Sequence, residues 1–303
     1  MMKQYKIAPE GFCAVKDVAL YHEVTHRLRS FFFEKGYLNV PTQSRISILA
    51  ACEDPTTVST YDYLGNVWPL PQTGQMWLEV ELLDHPDRKD FFGRPVKGLI
   101  TESTSYRQEP NPEEGRHLPI FPMFEFETFG GIKELMDLET ELVEYLGYPT
   151  PTRISYTEAL RIVGKCPETG ILNNKDEDTL CTLHGPVVLL YGFPERTSPF
   201  WNMRRDPSNP DISLKVDVLM HGMETIGSAE RSCDPKLMKD SFYSISDGGY
   251  AGLLFEKFGE ERTAQELNCF LSKKFVQRCG GGIGVTRLMR SFQKLMEERA
   301  GAR

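Results

Sequence analysis

The sequence predicts an α+β fold. Apolar residues recur at helical spacing in some segments and at alternate positions in others, and the two kinds do not follow one another in the regular rhythm of a doubly wound parallel sheet. With 303 residues, 40% of them apolar, the chain has ample material for a buried core. No repeat, low-complexity tract or Ser/Gly linker divides it, so residues 1–303 read as a single domain.

The first element is an amphipathic helix from Asp17 to Gly36. Tyr21, Val24, Leu28 and Phe31 fall on one face, Asp17 is placed to cap the start and Gly36 to stop the end. Phe31, Phe32 and Phe33 cannot all face one core, which marks at least one of them for a subunit interface. Segments near 98 to 108 and 119 to 128 flank a loop rich in Pro, Asn, Glu and Gly and read as a long hairpin. Ile132, Leu135, Met136, Leu142 and Leu146 predict a second helix, closed by Gly147. Val187 to Tyr191 suits a buried strand, and Ile212, Leu214, Val216, Val218 and Met220 alternate so that Asp217 lies on the opposite face. Leu267, Phe270, Leu271 and Phe275 predict a third helix, and the segment from Gly284 to about Glu298 a last one.

Composition narrows the function. A net charge of −8 and a pI near 5.4 give no general attraction to phosphate backbones. Seven cysteines without a CxxC pair fit reduced thiols. The N-terminal MMKQYKIAPEGF lacks a signal-peptide apolar stretch and no run could span a bilayer, so the expectation is a soluble cytoplasmic protein with no membrane partner.

Three clusters carry chemistry. In SYRQEPNPEEGRHLPIFPMFEFE, Arg107 and Glu109 share a strand face, with Arg116, His117 and Phe121 across the loop. An Arg fork suits a phosphate, a carboxylate an exocyclic amine and an aromatic ring a stacked base. In RCGGGIGVTRLMR, Gly280, Gly281, Gly282 and Gly284 allow close backbone approach, and Arg287 lies three residues into the following helix. In KVDVLMHGMETIGSAER, Asp217 and Glu224 flank a Gly turn and are suited to magnesium, while Arg231 suits a carboxylate. Read singly, each has an ordinary alternative: exposed ion pairs on a hairpin, a tight turn, solvated charges.

In this order the clusters resemble the class II aminoacyl-tRNA synthetases, in the catalytic domain shared by the aspartyl, asparaginyl and lysyl enzymes. The helix from 17 to 36 followed by YLNVPTQ is similar to motif 1, the dimer-forming element; SYRQE…RHLPIF to motif 2; GGGIGVTR to motif 3. LPQTGQMWLE is similar to the loop holding the substrate amino group. The resemblance implies a mainly antiparallel sheet flanked by helices, a homodimer, and ATP and Mg2+ as cofactors. It implies that Arg107 binds the α-phosphate, Glu109 the base, His117 and Arg287 the terminal phosphates, and that Phe121 stacks on adenine, with Arg116, Gly282 and Gly284 also in the ATP site. Asp217 and Glu224 would hold magnesium, while Gln75, Ser228 and Arg231 would bind the amino acid. A carboxylate attacking the α-phosphorus would then give an acyl-adenylate and pyrophosphate.

Departures from the family pattern are local. Leu78 stands where aspartate-binding members carry Lys, and Gly227 where a metal-contacting Ser is common. Only about fifteen residues precede the first helix, too few for the anticodon-binding barrel, whose size is roughly a hundred residues. The expectation is therefore a stand-alone ligase of the aspartate–ammonia (asparagine synthetase) type, resembling asparagine synthetase A and the archaeal asparagine synthetase related to the asparaginyl enzyme, with ammonia attacking the adenylate and tRNA not a partner. A ligase activating another amino acid and a truncated synthetase are the alternatives. His22, Glu23 and His26 also spell the HExxH pattern of zinc proteases, which zinc analysis would test.

Overall fold

The computed structural model describes residues 11–51 and 55–301. Cys52 and the MMKQYKIAPE stretch lie outside the described residues. The first helix, α1 (Val18–Glu34), starts where expected, with the Asp17 side chain accepting from the Leu20 N–H at 2.9 Å. It leads through Gly36, at φ 84°, into β1 (Tyr37–Asn39). A small hairpin, β2 (Thr60–Tyr63) and β3 (Asn66–Pro69), precedes helix α2 (Gln75–Asp84). The long hairpin forms as predicted from β4 (Gly98–Tyr106) and β5 (Ile120–Phe129), and α3 (Ile132–Tyr145) follows.

The middle of the chain supplies β6 (Thr152–Ser155), α4 (Tyr156–Ile162), α5 (Asn174–His184) and β7 (Val187–Pro194). Strands β8 (Arg205–Asp206), β9 (Asn209–Met220) and β10 (Glu224–Glu230) come next, then helices α6 (Pro235–Ser244), α7 (Gly249–Phe258) and α8 (Glu260–Leu271). The chain closes with β11 (Arg278–Gly284) and α9 (Val285–Gly301). Phe275, expected on the third helix, falls beyond α8 because the helix stops at Leu271; its ring instead packs on Phe270 at 5.4 Å.

Apart from the separate β2–β3 hairpin, the strands form one mixed sheet ordered β1-β4-β5-β11-β10-β9-β7-β6, with β8 on β9. β1 pairs with β4 and β6 with β7 in parallel, and the remaining pairs are antiparallel. This is the mainly antiparallel α+β sheet the sequence leads one to expect. Alternation assigns each face. Ile100, Phe124, Phe126, Val216, Val218 and Ile283 point to a rear core that α1, α3 and α9 cover. Phe31 and Phe32 are buried there, each burial contributing about 2 kcal/mol, while Phe33 stays half exposed. On the front face one apolar cluster lies under α6, α7 and α8, and another under α4 and α5. Between them the front of β5, β11 and β10 is left open. No helix among the described residues is long and apolar enough to cross a membrane.

Candidate active site

A cavity of about 320 Å3 occupies that opening. It gathers Gln75 from the start of α2, Arg107 and Glu109 from the end of β4, and Arg116, His117 and Phe121 from the hairpin loop and β5. Glu224, Ser228 and Arg231 reach it along β10, and Gly282, Gly284 and Arg287 from β11 and α9. β4 ends at Tyr106, so Arg107 and Glu109 lie past the strand rather than on one of its faces; the Arg107 N–H still donates to the Pro119 carbonyl at 2.8 Å.

The hairpin loop is built to lean over the cavity. Nδ1 of His117 accepts from the Glu113 N–H at 3.1 Å, so a neutral ring carries its proton on Nε2. Arg116 donates to Glu177 on α5 at 2.6 Å and to the Gly222 carbonyl at 3.3 Å, which ties the loop to the β9–β10 turn. Burial, and then the charge of Glu224, push the Glu177 carboxyl up; Arg116 opposes them. Arg107 faces the Phe121 ring with its guanidinium carbon 5.9 Å from the centroid. On the far wall Arg287 donates to the Glu224 carbonyl at 2.7 Å.

The glycines of β11 form the floor between β5 and β10. A Cβ at Gly281 would lie 2.5 Å from Ser228 Cβ and 2.7 Å from the Gly227 carbonyl oxygen, and one at Gly282 would lie 2.7 Å from Met123 Cε. Both strands approach that closely only because these positions lack side chains.

Asp217 and Glu224 meet through a β-bulge. Register runs Leu219↔Glu224, Val218↔Ile226 and Asp217↔Gly227, so the extra residue Thr225 turns Glu224 onto the Asp217 face. A Cβ at Gly227 would sit 3.0 Å from Glu224 Oε1 and 3.7 Å from Asp217 Oδ1, so both oxygens face the notch left by this glycine. Two hard oxygen donors around a notch fit magnesium that takes its other ligands from phosphate and water. Asp217 lines a neighbouring recess rather than the main cavity, and its Oδ2 is 3.1 Å from Lys215 Nζ.

At the amino-acid end, Arg231 is wholly buried and donates to both Glu127 oxygens, at 3.2 Å from Nε and 3.1 Å from Nη2. Arg278 donates to Glu79 at 2.6 and 2.9 Å, and Glu79 lies 3.8 Å from Arg231. Two cations and two carboxylates thus compensate one another in a buried cluster. Burial pushes the Glu127 carboxyl up, although Arg231 favours its ionised form. The Gln75 amide donates to Glu79 at 2.9 Å. Ser228 lines the cavity, yet its register partner Gly281 sits opposite Phe126 and its hydroxyl donates to the Val216 carbonyl at 3.2 Å. That hydroxyl therefore points toward the rear face, away from the amino acid it was expected to meet. Leu78 is wholly buried with Leu82 and Leu99 and does not line the cavity.

Sequence reasoning missed Glu125. It lines the cavity and accepts from the Ser103 hydroxyl at 2.5 Å, the Gly74 N–H at 2.7 Å and the Thr73 hydroxyl. Burial pushes its carboxyl up against these bonds and the charge of Arg107. The signal was present: the period-two alternation that places Phe121 on the front face reaches Glu125 two rungs later. His22 and His26 lie on an exposed stretch of α1 with rings stacked at 6.1 Å, and no group of three or more His, Cys, Asp or Glu among the described residues has metal-binding geometry.

The family model of class II tRNA synthetases (D, K and N) matches residues 15–297. The chain belongs to this family. It is 24% identical to the asparagine–tRNA ligase of Koribacter versatilis, over 88% of this chain and 62% of that protein. It is 27% identical to human cytoplasmic aspartate–tRNA ligase, over 72% of this chain and 48% of that one. Among solved structures it resembles Pyrococcus horikoshii asparaginyl-tRNA synthetase complexed with asparaginyl-adenylate, with a TM-score of 0.72, 23% identity and 91% of this chain matched to 65% of that one. The chain thus spans roughly half to two thirds of these family members. These relatives are tRNA ligases, so they lend no support to the expectation that tRNA is not a partner.

Proposed function

We propose that the chain activates an amino acid as its acyl-adenylate, using ATP and Mg2+, and passes the acyl group to an amine. The observation that carries this is the convergence in one cavity of Arg107, Glu109, Arg116, His117, Phe121 and Arg287 with Gln75 and Arg231. Phe121 and Glu109 would hold the adenine, Arg107 the α-phosphate, and His117 and Arg287 the outer phosphates. Asp217 and Glu224 would hold the magnesium ion, whose charge supports the pyrophosphate as it leaves. Glu125 and Gln75 suit the substrate ammonium group, and Arg231 the carboxylate or carboxamide end. No protein nucleophile takes part; catalysis is positioning and charge neutralisation.

Aspartate, with asparagine as the product from ammonia, is the first reading of the substrate. Transfer to tRNA is the second, favoured by the activities named for the relatives. A homodimer through α1 and β1 and a cytoplasmic setting belong to the same proposal. The test is ATP–pyrophosphate exchange with each amino acid in turn. Exchange with aspartate and release of asparagine on adding ammonium are expected; exchange that appears only with tRNA supports the second reading. No exchange with any amino acid refutes the adenylation itself. Asp217→Asn should lose exchange that added magnesium partly restores; loss indifferent to magnesium removes the metal role.

A further inference from the structure

A second recess, of about 270 Å3, adjoins the first along the same face of the sheet, over β9 and β7. Lys215 lines both. Resting on the adenylating function above, we propose that this recess binds the acyl acceptor and that, besides ammonia, it takes a primary amine with an apolar body.

The geometry gives each part of such a molecule a place. Asp217, 94% buried, separates the two spaces: its Oδ1 faces the Gly227 notch of the main cavity and its Oδ2 faces Lys215. The Lys215 ammonium lies 3.1 Å from that oxygen and 4.4 Å from the centroid of the Phe193 ring. A carboxylate beside an aromatic face is the environment that receives an ammonium group, and here one is already seated in it. Glu177 adds a second carboxyl to the same wall. Leu190, Phe193 and Leu219 give an apolar surface beneath and Leu172 one at the side, while Thr197, Ser198 and Arg196, whose guanidinium donates to the Pro167 and Gly170 carbonyls, form the polar rim. Ammonia needs no such surface. An amine bearing a hydrocarbon or aromatic group gains burial there while its nitrogen stays at the border with the adenylate.

In the step this allows, the nitrogen lone pair forms a bond to the acyl carbon. The bond from that carbon to the phosphate oxygen breaks and its electron pair leaves with AMP. The surplus proton on nitrogen passes to a neighbouring carboxylate and then to water. Amine and acyl-adenylate thus give amide, AMP and a proton, with no other reactant.

Benzylamine is the probe, with ammonium chloride and tRNA as comparison acceptors. Leu172→Trp narrows the recess from its side wall, and Thr197→Trp does so from its rim, without touching the residues of the main cavity. Amide formation from benzylamine should saturate in the wild type. Both variants should lower kcat/KM for benzylamine about tenfold or more, while leaving pyrophosphate exchange and use of ammonium within about twofold. Normal exchange in the variants also shows that they fold. Equal benzylamine use in wild type and variants, or exchange with transfer only to ammonium or only to tRNA, overturns the acceptor role and leaves adenylation standing. Absence of exchange in the wild type removes adenylation and the acceptor role together.

Discussion

Glu139 lies on α3 between the core residues Leu135, Met136, Leu142 and Val143, wholly buried behind β10. Among the described residues neither carboxyl oxygen makes a close hydrogen bond, since the Ser228 hydroxyl is turned to the Val216 carbonyl. Burial pushes the group up to about 8, although the nearby Ser228 hydroxyl and Arg153 favour ionisation. In the unfolded chain it ionises at the ordinary value of 4.5. Between these values the folded state holds a proton that the unfolded state has released, so stability is greatest below 4.5 and falls as pH rises toward 8. At about 1.36 kcal/mol per unit, the penalty is about 3 kcal/mol at pH 7 and about 5 kcal/mol above pH 8. Glu139→Met removes it with an unbranched side chain that adapts to an apolar site. Urea unfolding should therefore show the variant more stable, by a margin that grows by roughly 2–3 kcal/mol between about pH 5.5 and 7.5. Pyrophosphate exchange should be unchanged, because Glu139 does not line the cavity. A pH-independent margin, or a variant less stable than wild type at pH 7.5, would refute the argument.

Three further outcomes are expected. Arg107→Ala and Arg287→Ala should each lower pyrophosphate exchange by about a hundredfold or more, since each removes a preorganised charge; near-normal rates in either folded variant would remove the nucleotide site. Gly281→Ala should unfold the sheet centre or cost about 2 kcal/mol or more, because its Cβ meets strand β10 itself, whereas Gly282→Ala meets only the movable end of Met123. Similar melting temperatures for the two would contradict the packing. Arg231→Met should cost about 3–5 kcal/mol by leaving Glu127 buried without its cation, and Glu127→Gln in the same chain should recover part of the loss in urea unfolding.

Much of the architecture was legible in the sequence because it rests on local periodicity. The 3.6-residue spacing of Val24, Leu28 and Phe31, the Asp17 cap, the glycines after α1 and α3, and the alternation from Ile212 to Met220 each report which face must leave water, wherever that face is buried. The ordered motif residues likewise marked most of the cavity lining. Helices α2, α4, α5, α6 and α7 were not anticipated; α2, for example, buries Met76, Leu78, Glu79, Leu82 and Leu83 with little polar contrast around its axis. The tertiary structure alone placed β11 between β5 and β10, since pairing between segments so far apart in the chain leaves no local signal. That placement closes the glycine floor, pairs Arg231 with Glu127 and Arg278 with Glu79, and turns the Ser228 hydroxyl rearward. The bulge at Thr225 that joins Asp217 to Glu224, and the recess beyond Lys215, were decided in the same way: by which residue of one strand lies opposite which residue of the next.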